Sequence, residues 1–301
     1  MSSQQPPNVT HVGHYTRNKD LELKSDSSLQ KLNDLGRSVL ESKPFEIPKK
    51  PLEITDFEDD GPFEDNLESL LSFVRSNPKH LKNHDVFTSR SVLRAVVLPG
   101  VVHVRAVRHQ GKIFIRTLGS TTPWDPNSDA AKNLARGTAA ARILLADPVH
   151  DKGTADKSVN SFEILSTEGK LFKFLFSSEL DCCYQRNDDL KYVEIKSTDK
   201  SLDHWMKKKS SETYWQCIFG NVDHLILVFL RIEEDGVTIV NGSENYTSKD
   251  LFGKNQKTMY KEVIEHKEGD AVVLSRENKY WTSRPDSLEF LGVVKDRLGN
   301  N

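Results

Sequence analysis

A chain of 301 residues, 36% hydrophobic and 29% charged with a formal net charge of −2, can bury a sizeable core as one large or two ordinary domains without metal or disulfide staples. This composition excludes a disordered or membrane-embedded chain, and the charge balance does not itself point to nucleic acid, although a local basic groove would escape that count. Three cysteines (Cys182, Cys183, Cys217), no apolar run in the first twenty residues and a longest apolar run of only "LILVFL" point to a reducing compartment, nuclear or cytoplasmic, with no membrane partner.

Residues 1–10 read as a loose polar tail, 11–297 as a single domain and 298–301 as a second tail. From Thr10 to Pro62 the proline-punctuated chain ("KPFEIPKKPLEI") suggests an extended segment wrapped over a core. Asp65 reads as the N-cap of a helix to Asn77, with Leu67, Leu70, Leu71 and Val74 on one face and Pro78 as its stop. "VLRAVVL", "VVHVRAVR" and "KIFIRTL" predict a three-stranded meander over 92–118, and the alanine-rich "DPNSDAAKNLARGTAAARILLADP" predicts a capped helix. Strands follow at "SFEIL", "KLFKFLFSSELDC" and "KYVEIKS", then a helix over 200–218 and strands at "DHLILVFLRI" and "VTIV". After about 243 the pattern supports only a strand at "AVVLS" and a helix near 286–297. The fold class is α+β (mixed α/β), with mixed, largely antiparallel sheets and flanking helices.

Chemistry concentrates in "SSELDCCYQRNDDLKYVEIKST". Side chains two apart on a strand share a face, so Glu179 pairs with Asp181 and Glu194 with Lys196. If the two arms form a hairpin across "QRNDD", three carboxylates and an ammonium converge, a donor set for a hard divalent cation and a phosphate. On pattern alone a solvated ribbon with cross-strand ion pairs is the more ordinary outcome. Against it, Leu180, Val193 and Ile195 make the arms apolar between the charges, and unpaired acids in a central strand are costly unless they serve a cation.

"SSELDC", "YVEIKS" and "YWQCIFGNVDHLILVFLR" are similar, in order and spacing, to the blocks of the DXO-type decapping nuclease family. "VGHYTRNKDLELKSDSSL" resembles the family's N-terminal segment, and Arg90 in "FTSRSVLRAVV" resembles its early arginine. The resemblance runs from about 12 to 240 and implies a relative of the D…ExK nucleases that removes incomplete or NAD-type caps from RNA 5′ ends, with 5′ to 3′ exonuclease activity in many members. It implies Mg²⁺ or Mn²⁺ held by Glu179, Asp181, Glu194 and the Ile195 carbonyl. Lys196, Glu194 and Asp181 are implied as catalytic, with Arg90, Gln216, Lys196 and Glu179 on the substrate. RNA 5′ ends and a partner exonuclease are the implied partners. Gln216 holds the family's glutamine position only with a gap, since an ungapped match places Cys217 there. The sequence departs from the family at G-Φ-x-Φ-E, where Gly137 heads "GTAAA" and Ala141 replaces the acid. That leaves a second ion short of a ligand and opens an alternative: a degenerate member that binds RNA ends or a partner nuclease without turnover.

Two further groups are ambiguous. Lys207, Lys208 and Lys209 beside Trp205 suit an RNA-phosphate track or a solvated helix face. His80 and His84 have i, i+4 spacing without the acids or cysteines of a zinc site.

Overall fold

The computed structural model describes residues 6–18, 20–24, 29–41, 67–118, 125–146, 154–166, 168–252, 271–277, 280–286 and 289–298. Its elements are β1 (Thr10–Arg17), α1 (Asp34–Leu40), α2 (Glu68–Ser76), α3 (Lys79–Asn83), β2 (Val86–Ser89), α4 (Arg90–Val97), β3 (Val102–His109), β4 (Lys112–Thr117), α5 (Asp129–Arg142), β5 (Ala155–Leu165), β6 (Leu171–Leu180), β7 (Cys182–Arg186), β8 (Asp189–Thr198), α6 (Leu202–Lys208), α7 (Ser210–Gly220), β9 (His224–Ile232), β10 (Thr238–Thr247), β11 (Ala271–Glu277), β12 (Tyr280–Pro285) and α8 (Glu289–Leu298).

The strands form an eight-stranded sheet, β1-β5-β6-β2-β4-β3-β11-β12, and a four-stranded sheet, β10-β9-β8-β7. Both are mixed: β2 runs parallel to β4 and β6, and β8 parallel to β9, the remaining pairs being antiparallel. The parallel β8–β9 pair needs a crossover, which α6 and α7 supply. Alternation along β6 shows how the layers arise, for Leu175 faces a core under α2 and α8 while Phe176 faces the core shared by both sheets, α4 and α7. On the small sheet, Tyr192 enters the shared core, whereas Val193 and Ile195 pack beneath α1 and α5.

Several expected elements stand: the α5 helix, capped by Ser128 accepting from Ala131 N, the β3–β4 hairpin, and β8 to β10. Others are corrected. "VLRAVVL" is the helix α4, because Val92, Leu93 and Val97 pack into two different clusters on either side of it, a demand that helical spacing meets and a pleated strand does not. The strand before it, "VFTS", and β12 carried too little periodicity to be expected. The helix over 200–218 is two helices meeting at Lys209. Asp65 and "KPFEIPKKPLEI" lie outside the described residues, and α2 begins after Leu67, which sits at φ 76°. Within the polar N-terminal region, Lys31 and Leu32 form bridges to Cys183 and Leu145, and the helix α1 follows.

The reading with the largest consequence concerns "KLFKFLFSSELDC". It is not one strand: β6 ends at Leu180 in the large sheet, and β7 begins at Cys182 in the small one. Asp181 is the residue at which the chain changes sheets.

Phe176 ties the layers together, fully buried and edge-on to Phe219 of α7 and Phe162 of β5. Replacing it with alanine should cost about 3–5 kcal/mol of unfolding free energy, measured by denaturant titration, because the rings around the void cannot close over it.

Candidate active site

The cluster forms where β2 and β6 end side by side in the large sheet. Ser89 closes β2 and Arg90 opens α4, so the arginine leaves the sheet edge and reaches across to the small sheet. There its Nη1 donates to Glu194 Oε2 at 2.8 Å, while Lys196 Nζ, two residues along β8, donates to Glu194 Oε1 at 2.5 Å. The Glu194 side chain is 1% exposed. Gly220 at the end of α7 makes room for the arginine, since a Cβ there would stand 3.2 Å from Arg90 Nη1 and 2.9 Å from Val222 Cγ2. The Phe219 carbonyl holds that end of α7 against the large sheet by accepting from Ser178 Oγ and Asn160 Nδ2.

Burial alone would raise the Glu194 carboxyl, but the Arg90 guanidinium and the Lys196 ammonium outweigh it and bring it down to about 2. Asp181 goes the other way, pushed up to about 6 by burial and by the Glu194 charge, even though its Oδ2 accepts the Ile195 N–H at 2.7 Å. Two neighbouring carboxylates with opposite shifts divide the work: one is ionised and fixed, the other is charged at a cost that a nearby cation would relieve.

Glu179 approaches them from the other sheet. The change of sheet at Asp181 leaves it on β6, opposite Lys157 of β5 rather than any residue of β8. Lys157 Nζ lies 3.3 Å from its Oε2, and the Glu179 side chain is 56% exposed. Lys157 first, then Arg90 and Arg17, hold its carboxyl below the usual range. Among the described residues no three His, Cys, Asp or Glu side chains group so as to hold an ion. Glu179 nonetheless shares an arginine with the other two, since the charges of Glu194, Asp181 and Glu179 all act on Arg90. Asp181, Glu194 and the Ile195 carbonyl are all oxygen donors, which fits a single hard cation that keeps much of its water, not a closed cage.

Ala141 is half-buried on α5, whose Gly137 approaches β8 so closely that a Cβ would meet Ser197 Oγ at 3.5 Å. The helix expected to bear an acid thus lies against the strand that bears Glu194, and brings a methyl group. On α7, the Cys217 thiol feels the charges of Glu194, Lys196, Arg90 and Asp181, so this helix borders the cluster. Burial pushes the Cys217 thiol up to about 12, so it is no nucleophile.

Trp205 is buried in the shared core and offers no stacking surface, while Lys207 and Lys209 pair with Asp203 and Glu212. His84 bonds the His80 carbonyl through Nδ1 and Ser161 Oγ through Nε2.

Lys157, which the motif reading missed, left a trace in the sequence only as a lysine on a strand pairing with "SSEL". No family model and no curated protein matches the sequence. Solved structures do. Scheffersomyces stipitis Rai1 in complex with (3′-NADP)⁺ and calcium superposes with a TM-score of 0.69 at 16% identity, over 99% of this chain and 94% of that one. The chain has the Rai1/Dxo1 fold. Candida albicans Rai1 in complex with pU5 and Mn²⁺ gives 0.66 at 14% identity, covering 98% and 97% of the two chains. K. lactis Dxo1 in complex with manganese gives 0.61 at 13%, covering 95% and 93%. The Rai1/Dxo1 fold of decapping enzymes, with its two mixed sheets and flanking helices, is the one the motif resemblance implied.

The Asp181 environment has a thermodynamic signature. With a folded value near 6 against 3.8 in the unfolded chain, the native state keeps a proton the unfolded state has released, so this group's contribution falls as pH rises from about 4 to 6 and its penalty is complete above that. Asp181→Asn should therefore raise stability at pH 7.5, on the order of 1–3 kcal/mol, with the gain fading towards pH 4. Thermal unfolding of both proteins across that range checks it; a pH-independent difference would contradict the assignment.

Proposed function

We propose that the protein is a cation-dependent hydrolase of RNA 5′ ends, acting on incomplete or NAD-type caps, within the Rai1/Dxo1 fold. The observation that carries this reading is the buried Arg90–Glu194–Lys196 arrangement beside the strained charge of Asp181, an investment of burial that a purely structural ribbon does not need. The solved structures of that fold contain a dinucleotide with calcium, and a pU5 oligonucleotide with manganese.

Asp181, Glu194 and the Ile195 carbonyl would hold Mg²⁺ or Mn²⁺. When bound, such an ion supplies a more acidic water and neutralises charge on a phosphoryl oxygen. Lys196, 31% exposed and anchored by Glu194, presents its ammonium to a phosphate oxygen or orients the water. Arg90 is more deeply held, and its guanidinium fixes Glu194 while facing the same charge. Gln216 contributes to the substrate wall through its position on α7. RNA 5′ ends are the ligand, with a partner exonuclease to consume the exposed end, in the nucleus or cytoplasm.

A second reading has its own support. Ala141 offers no oxygen, and among the described residues no third acid completes the pair, so the site also suits a protein that captures RNA ends and does not turn them over.

Purified protein in excess over NAD-capped or 5′-monophosphate RNA, with Mn²⁺ or with EDTA, separates the two. The hydrolase reading expects a Mn²⁺-dependent product that Glu194→Gln reduces by at least about a hundredfold, in line with loss of an interaction on the reacting phosphate. Binding without product favours the capture reading. Ala141→Glu should raise a weak native rate, and silence from that variant as well would leave capture as the function.

A further inference from the structure

Where α7 gives way to β9, the chain forms a groove of about 550 Å³ that the acid cluster does not use. Four stretches far apart in sequence build it: the residues ahead of β1, the end of β7, the α7–β9 junction and the end of β10. The helix stops there because Asn221 takes the left-handed conformation, φ 51° and ψ 44°. This turns the Asn221 and Val222 N–H groups back onto the Ile218 and Cys217 carbonyls at 3.2 and 2.9 Å. The carbonyls that would make the helix end repel an anion are thereby partly spent.

Arg186 and Lys249 both line the groove and both are exposed, and among the described residues neither has an ion-pair partner. The acid in the lining, Asp223, is already faced by Lys191 Nζ, 3.7 Å from its Oδ1. The groove therefore presents uncompensated positive charge. Val9, Ile218 and Val222 make part of the wall apolar, and the Asn8 and Asn221 amides can each donate and accept. A cavity of this size, apolar in part with a few polar groups, suits a small molecule. A guanidinium and an ammonium together select a phosphate on it.

We propose that this groove is a second ligand site, for a nucleoside monophosphate, with Arg186 and Lys249 on the phosphate and the wall of Val9, Ile218 and Val222 against the base. It needs no divalent ion and does not depend on the RNA-end reading. The end of α7 separates the two sites, for Cys217 lines the groove while Gly220 leaves room for Arg90 Nη1. A test must therefore tell one from the other.

Calorimetric titration of the full chain in EDTA, with adenosine monophosphate, uridine monophosphate, adenosine and inorganic phosphate, reads this directly. At least one of the two nucleotides should bind. Adenosine and phosphate should each bind at least about tenfold more weakly, the scale of a lost charge-assisted hydrogen bond. Arg186→Ala combined with Lys249→Ala should weaken nucleotide binding by at least about tenfold. Both side chains are exposed, so the melting temperature of the free protein should not move. Lys196→Ala, in the acid cluster, should leave nucleotide affinity as it is. The proposal is overturned if neither nucleotide binds, or if the double variant binds as the native protein does. It is equally overturned if phosphate alone binds as tightly as the nucleotides, which would make the groove a plain anion site. Loss of binding in Lys196→Ala would place the nucleotide in the acid cluster and overturn it too.

Discussion

The structure depends on one buried carboxylate. Glu194 sits in the small sheet at the boundary with the large one, where an unpaired charge would be untenable, and each of its oxygens has a cation. Arg90 comes from the large-sheet side, directly after β2, and Lys196 from Glu194's own strand. The arrangement is thus both a charge trap and a strut between layers. Removing one partner would strand the others, at a cost of about 3–5 kcal/mol for a buried pair, whereas the intact set contributes little beyond what a packed apolar core would give. What it confers is placement: α4 must start where β2 stops, α7 must end in a glycine that lets the guanidinium pass, and β8 must keep its register.

Asp181 shows what that placement is for. A chain that needed only to connect two sheets could do so with a neutral residue, and would be more stable above pH 6. Instead a carboxylate is held against Glu194 by the Ile195 N–H, charged at the fold's expense. Tension between stability and a pre-set site is the usual mark of function, and here it falls on the residue where the chain passes from one sheet to the other.

How much of this was legible in the sequence follows from which interactions are local. Capping by Ser128 and the alanine content announced α5, and the alternation of "KYVEIKS" announced β8 with Glu194 and Lys196 on one face. Period-two reasoning failed at "SSELDC" because it assumes the strand continues; the break at Asp181 keeps the residue spacing and changes the partners. The same limit applies to α4, whose valines satisfy strand propensity while two clusters on either side impose a helix. Arg90 with Glu194 spans 104 residues, and Lys157 with Glu179 spans a strand turn and a register, so neither pair had a local signature. The choice between Gln216 and Cys217 rests on a one-residue gap, which no local pattern in the sequence fixes.

Ala141 can be understood through charge rather than through the absence of a ligand alone. Glu179, Asp181 and Glu194 all act on Arg90, with Lys157 beside Glu179 and Lys196 on Glu194, and Asp181 is the least willing to ionise. Each carboxylate taken from such a site makes it poorer at holding a divalent ion and better at holding a phosphate directly, because the same fixed positive charge is left less compensated. An acid on α5 would add negative charge beside β8 and favour an ion; alanine adds none. On the proposed function, hydrolysis and capture would then be not two unrelated designs for this fold but two settings of one electrostatic balance, with the residue at position 141 weighing between them.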